Sequence, residues 1–121
     1  MSKISAATKL KVMLGIVLSF LAYKANANSN TSHCPTEFYQ LPLITSATYC
    51  QIFNQELPAT LSYFAATAPN EVKTFYLDKL GQPDSDFSEK GREVMLYKAG
   101  TQIIIISSDK QGSQIDILVK Q

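Results

Sequence analysis

The stretches Arg92-Glu-Val-Met-Leu-Tyr-Lys98, Thr101-Gln-Ile-Ile-Ile-Ile-Ser107 and Gln114-Ile-Asp-Ile-Leu-Val-Lys120 decide the fold. Each is a short run of β-favouring residues. They are separated by Ala99-Gly100 and by Asp109-Lys-Gln-Gly112, which are turn chemistry, so the three read as hairpin-linked strands of a β-meander. Side chains of a strand alternate between faces, so Ile103 and Ile105 line one face of the sheet while Ile104 and Ile106 line the other. Val94-Met-Leu-Tyr97 is also apolar on both sides. A single helix covers only one face of such a sheet, and something else must cover the second.

Working outward, Thr60 to Ala66 alternates in the same way, with Leu61, Tyr63 and Ala65 against Thr60, Ser62 and Phe64, and predicts a further strand. A helix follows. Pro69 near its first position gives up no helical hydrogen bond, and Glu71 faces the positive end of the helix dipole. Val72, Phe75, Tyr76 and Leu80 fall on one stripe, and Lys79-Leu80-Gly81 ends the helix with a basic last turn and a glycine. Gln82 to Gly91, with Pro83, Asp84, Asp86 and Glu89, reads as an exposed loop. The class is α+β: an antiparallel β-meander with one helix packed on one face, in the order strand–helix–strand–strand–strand.

Before the first of these strands, Pro35 to Pro58 is too apolar for disorder, yet Pro35 and Pro42 break any long element. It reads as an extended wrapping segment with one short strand near Tyr49–Phe53. Three covers are open for the second face of the sheet. The favoured one is the segment Phe38–Phe53 folding across it from the same chain, which makes the mature protein a monomer. The others are a homodimer or protein partner docked on that face, and an apolar small ligand between helix and sheet.

Residues 1–27 have the form of a secretory signal peptide: a basic start ending at Lys11, the apolar run Val12 to Tyr23, and Ala25-Asn26-Ala27, which places cleavage between Ala27 and Asn28. The run would span roughly 18 Å as a helix, short of the ~30 Å hydrocarbon core. The membrane is therefore expected to be met only through the signal peptide during export. Residues 28–33 are a polar leader and residues 34–121 a single domain. The chain of 121 residues carries 11 basic against 10 acidic residues, but Lys3, Lys9, Lys11 and Lys24 all lie in the first 27. Without those four the formal charge is −3, which argues against nucleic acid as a partner.

Export to an oxidising compartment makes Cys34 and Cys50, the two cysteines, a structural disulfide pair. The competing readings are a reactive Cys beside His33, or a metal pair of His33 and Cys34. The polar leader has nothing to orient these adjacent residues, and the rest of the chain lacks the three or four ligands a metal site would need. His33 is the one histidine and lies in the leader, which leaves no common acyl-transfer triad. Asp84-Ser-Asp86-Phe-Ser-Glu89 gathers three carboxylates without EF-hand spacing and reads as a solvated loop. No catalytic residue, metal or cofactor is therefore expected.

The order Thr67-x-Pro-x-x-Val-x-x-Phe75-Tyr76-x-x-x-Leu80-Gly81 followed by a short meander resembles the core, over residues 60–120, of several groups of small exported bacterial α+β proteins of unassigned function. Its element order is also similar to cystatin-like folds, although the Gln-x-Val-x-Gly pattern by which cystatins block proteases has no match, so no activity carries over. The expectation from residues and resemblance together is a periplasmic, non-enzymatic binding or accessory module of the bacterial cell envelope, which could take an unidentified envelope protein as partner. The alternatives are a small enzyme using the loop carboxylates and an apolar-ligand binder.

Overall fold

A computed structural model describes residues 33–121 of the chain. The expected signal peptide, its cleavage point at Ala27 and Asn28, and the leader up to Ser32 lie outside the described residues. Those that follow form an α+β fold of one helix and an antiparallel sheet. The elements are β1 (Glu37–Phe38), β2 (Leu41–Pro42), β3 (Ala47–Asn54), β4 (Ala59–Ala65), α1 (Pro69–Leu80), β5 (Ser85–Glu89), β6 (Arg92–Tyr97), β7 (Gln102–Asp109) and β8 (Gly112–Val119). Six strands make the main sheet in the order β3-β4-β8-β7-β6-β5. Helix α1 carries the chain from β4 to the far edge, from which the β5–β8 meander returns to pair with β4.

Two differences from the sequence reading concern the sheet edges. Ser85–Glu89 is a strand rather than a loop, paired with β6 through a two-residue turn in which Lys90 and Gly91 both have positive φ. That geometry matches the right-handed strand twist, and glycine accepts it at no steric cost. At the opposite edge the short strand expected near Tyr49–Phe53 extends to eight residues. The sheet thus has six strands where the strand–helix–strand–strand–strand reading has four.

One face is apolar at its centre: Ala59, Leu61, Tyr63 and Ala65 of β4, Ile115, Ile117 and Val119 of β8, Ile104 and Ile106 of β7, and Met95 and Tyr97 of β6 are all buried. Helix α1 lies over β7 and β8 on this face and buries Val72 and Tyr76 completely. Phe75, expected at the centre of the stripe, is only half-buried, setting its ring edge-on to Tyr76 with the Lys79 ammonium above it. The helix ends where the Gly81 N–H bonds the Leu77 carbonyl at 2.9 Å, and the Tyr97 hydroxyl donates to the Gly81 carbonyl at 2.9 Å, fixing that end to β6.

The wrapping segment exists, but it covers the other face from the one expected. Phe38, Leu41 and Leu43 are buried in the same core as the helix residues. The segment turns at Tyr39 and Gln40, both at positive φ, so that β1 and β2 pair antiparallel. Its position beside α1 is fixed by hydrogen bonds from the Tyr76 hydroxyl to the Pro42 carbonyl (2.7 Å) and from the Ile44 N–H to the Tyr63 hydroxyl (3.3 Å). The cause is one of area. Helix α1 lies over two strands, β7 and β8, whereas six strands span about 24 Å between outer axes, so the strip beside the helix still needs cover. The disulfide joins Cys34 to Cys50 of β3, with Cα atoms 5.2 Å apart, and holds the segment to the sheet edge.

Candidate functional site: the second face of the sheet

The register lays out the second face as three rows running from the β5 edge to the β3 edge. The first is Glu89, Arg92, Ser107, Gln114, Phe64 and Thr48; the second is Phe87, Val94, Ile105, Asp116, Ser62 and Gln51; the third is Ser85, Leu96, Ile103, Leu118, Thr60 and Asn54. None of these residues is buried. Among the described residues no segment lies across the face, so the expectation that Phe38–Phe53 covers it is overturned.

The face has two halves of different chemistry. On the β5–β7 side Phe87, Val94, Leu96, Ile103 and Ile105, joined by Leu118, form a continuous apolar patch, with Phe87 43% exposed. On the β8–β3 side the second row becomes polar. Asp116 accepts a hydrogen bond from the Ser62 hydroxyl and two longer ones from the Gln114 amide, at 3.3 and 3.4 Å. Beside this cluster Tyr49, Phe53 and Phe64 stand around a depression of about 420 Å³ that also takes in Gln51, Ser62, Asp109 and Gln114.

The three loop carboxylates diverge. Asp84 accepts the Ala99 N–H at 2.7 Å, within the β6–β7 turn. Asp86 lies on the helix face, 3.3 Å from the Lys73 ammonium, which also reaches Glu93 at 3.1 Å. Glu89 is opposite Arg92 on the other face. Glu93 is in turn bonded by the Ser88 hydroxyl at 2.6 Å; this bond and the lysine hold its carboxyl below the usual range, and Glu93 and Asp86 hold the Lys73 ammonium above its own. His33 is exposed and Cys34 is in the disulfide.

Comparison of the chain with protein-family models, with curated proteins and with solved structures finds no match. The residues that the sequence reading missed here are Tyr49, Phe53, Gln51 and Asp116. Reading Ser62, Asp116 and Gln114 along the strand alternation would have shown that half of the second face is polar.

Proposed function

We propose that the protein is exported to the bacterial periplasm and acts there as a non-enzymatic binding or accessory module that docks an envelope protein on the β5–β7 half of its second sheet face. The observation that carries this reading is the uncovered patch of Phe87, Val94, Leu96, Ile103, Ile105 and Leu118. Antiparallel sheets exposed to water normally place polar residues on the outer face, and contiguous exposed apolar patches mark interaction surfaces. The patch runs across four adjacent strands, β5 to β8, an extent that suits the side of a helix pair or sheet. Arg92 and Glu89 at one end and Ser85 at the other supply a polar rim, as protein interfaces have. Export is supported by the form of residues 1–27 and by the disulfide, a bond that persists in oxidising compartments.

A photo-crosslinking amino acid placed at Leu96 of the full-length protein in its own cell envelope tests the docking. It should give one discrete product that is absent when the probe stands at Lys79, and that is lost when Ile103→Lys is added. A product of twice the monomer mass would make the partner a second copy of the chain. No product at Leu96 sinks the reading. N-terminal sequencing of the exported protein should begin at Asn28.

A further inference from the structure

Strand β3 departs twice from regular pairing, and both departures deliver an aromatic side chain to the same place. Between the pairs Thr48↔Phe64 and Gln51↔Ser62, β3 has two residues where β4 has one; between Ile52↔Leu61 and Asn54↔Thr60 it has one where β4 has none. Each is a bulge, a device that re-aims side chains. In the first, Cys50 turns toward Cys34 while Tyr49 takes φ 53°, a left-handed conformation that is strained for a bulky residue. In the second, the extra residue is Phe53. Tyr49 is 75% exposed and Phe53 64% exposed, and both line the 420 Å³ depression. Bulges protect an edge strand from pairing with other chains, but that purpose needs no aromatic residue, and certainly not a strained one.

The chemistry of the depression specifies what fits it. The rings of Tyr49, Phe53 and Phe64 line it, and its volume is that of a small-molecule site. Its polar groups are of both kinds: Gln51 offers a donor and an acceptor, the Asp109 carboxylate accepts, and Gln114, whose Nε2 is turned to Asp116, keeps Oε1 as an acceptor. A ligand must therefore present an apolar face to the rings and, around its edge, groups that donate as well as accept. Ring hydroxyls do both. A proline-rich peptide also suits an aromatic groove, but prolines carry no N–H, and the Asp109 and Gln114 oxygens would lose water without gaining a donor.

We propose that this depression is a saccharide-binding site, in which pyranose rings stack on Tyr49 and Phe53 while Gln51, Asp109 and Gln114 bind the ring hydroxyls. It occupies the β8–β3 half of the face, so it stands or falls separately from docking on the apolar half.

The test uses the disulfide-bonded mature protein titrated with chitotetraose, cellotetraose, maltotetraose and a proline decapeptide, followed by calorimetry and by the tyrosine signals in NMR. At least one tetrasaccharide should bind and shift Tyr49. Tyr49→Gly should weaken that binding about tenfold or more while leaving the melting temperature unchanged or higher, because glycine relieves the left-handed strain. Phe53→Ala should weaken it similarly, and Tyr39→Ala, outside the site, should not. No binding by any of the three sugars overturns the proposal, as does sugar binding indifferent to Tyr49→Gly; binding of the decapeptide alone, lost in Tyr49→Gly, assigns the groove to peptide instead.

Discussion

The hydroxyls of Tyr63 and Tyr76 lie 2.7 Å apart inside the core, and the direction of each proton around them follows from valence. Tyr76 donates to the Pro42 carbonyl, so its one proton is spent and Tyr63 must donate to Tyr76; the Tyr63 oxygen in turn accepts the Ile44 N–H. The relay leaves the wrapping segment at Ile44 and re-enters it at Pro42, passing through β4 and α1 on the way. Burial holds both phenols protonated above the ordinary tyrosine range.

Removing the Tyr76 hydroxyl as Tyr76→Phe leaves the Pro42 carbonyl and the Tyr63 proton without partners. The expected cost is about 1–3 kcal/mol, read as a lower urea midpoint. Tyr63→Phe should cost a similar amount through the Ile44 N–H, and the double variant should cost less than the two added together, since both act on one chain of bonds.

Ile104 and Ile105 are neighbours in sequence with opposite surroundings. Ile104 is fully buried under the helix, whereas Ile105 is half-exposed on the second face. Ile104→Asp should abolish folding by burying an unpaired charge. Ile105→Asp should stay folded, with a circular-dichroism spectrum like the parent's; loss of structure in both would mean that the second face is covered.

The Cys34–Cys50 bond closes a loop with a sequence separation of 16. Replacing both cysteines by serine should cost about 3 kcal/mol by the chain-entropy argument. Protease should then cut first between Cys34 and Ala47, where the segment has lost its covalent tie; an unchanged urea midpoint would contradict this.

Gly112 opens β8 against the end of β4. A Cβ there would press on the Ala65 carbonyl oxygen and come within 2.7 Å of Phe64 Cζ. Gly112→Ala should therefore destabilise by about 1–3 kcal/mol, with amide exchange accelerated in β4 and β8 before the rest of the sheet.

The Lys73 ion pairs link α1 to β5 and β6 at the rim of the helix face. Glu93 titrates below its unfolded value, so its contribution is present above the unfolded carboxylate range and lost as the pH falls through the folded one. Lys73 titrates above its unfolded value, so its contribution is lost at the alkaline end. Being partly solvated, the pairs are worth about 0.2–1 kcal/mol. Lys73→Met should be less stable than the parent near neutrality, and the difference should close in strong acid and in high salt.

The helix and four strands were legible because local signals and tertiary burial agree there: Pro69 and Gly81 bracket α1, and Leu61, Tyr63 and Ala65 keep strict period along β4. Strand β5 was not, because Ser-Asp-Phe-Ser-Glu at a sheet edge is solvated on both sides and carries one apolar residue. In β3 the two bulges break the alternation that identifies a strand. The destination of the wrapping segment was misjudged for a different reason. Four successive isoleucines make the second face look as demanding as the first, but Ser62, Thr60, Gln114 and Asp116 make half of it content with water. The disulfide pair could be read by elimination, whereas the aromatic depression depends on register, which no local pattern carries.

Strand β8 follows all the other described elements in sequence, yet it lies in the interior of the sheet, with β4 on one side and β7 on the other. Until it arrives, the β3–β4 hairpin and the β5–β7 meander share no ladder of backbone bonds, and Ala59 has nothing to pair with until Val119 is available, sixty residues along. A chain folding from its N-terminus would hold two unjoined pieces of sheet until β8 is in place. Long-range pairing of this kind slows folding, so β8 is the element on which closure of the whole sheet waits.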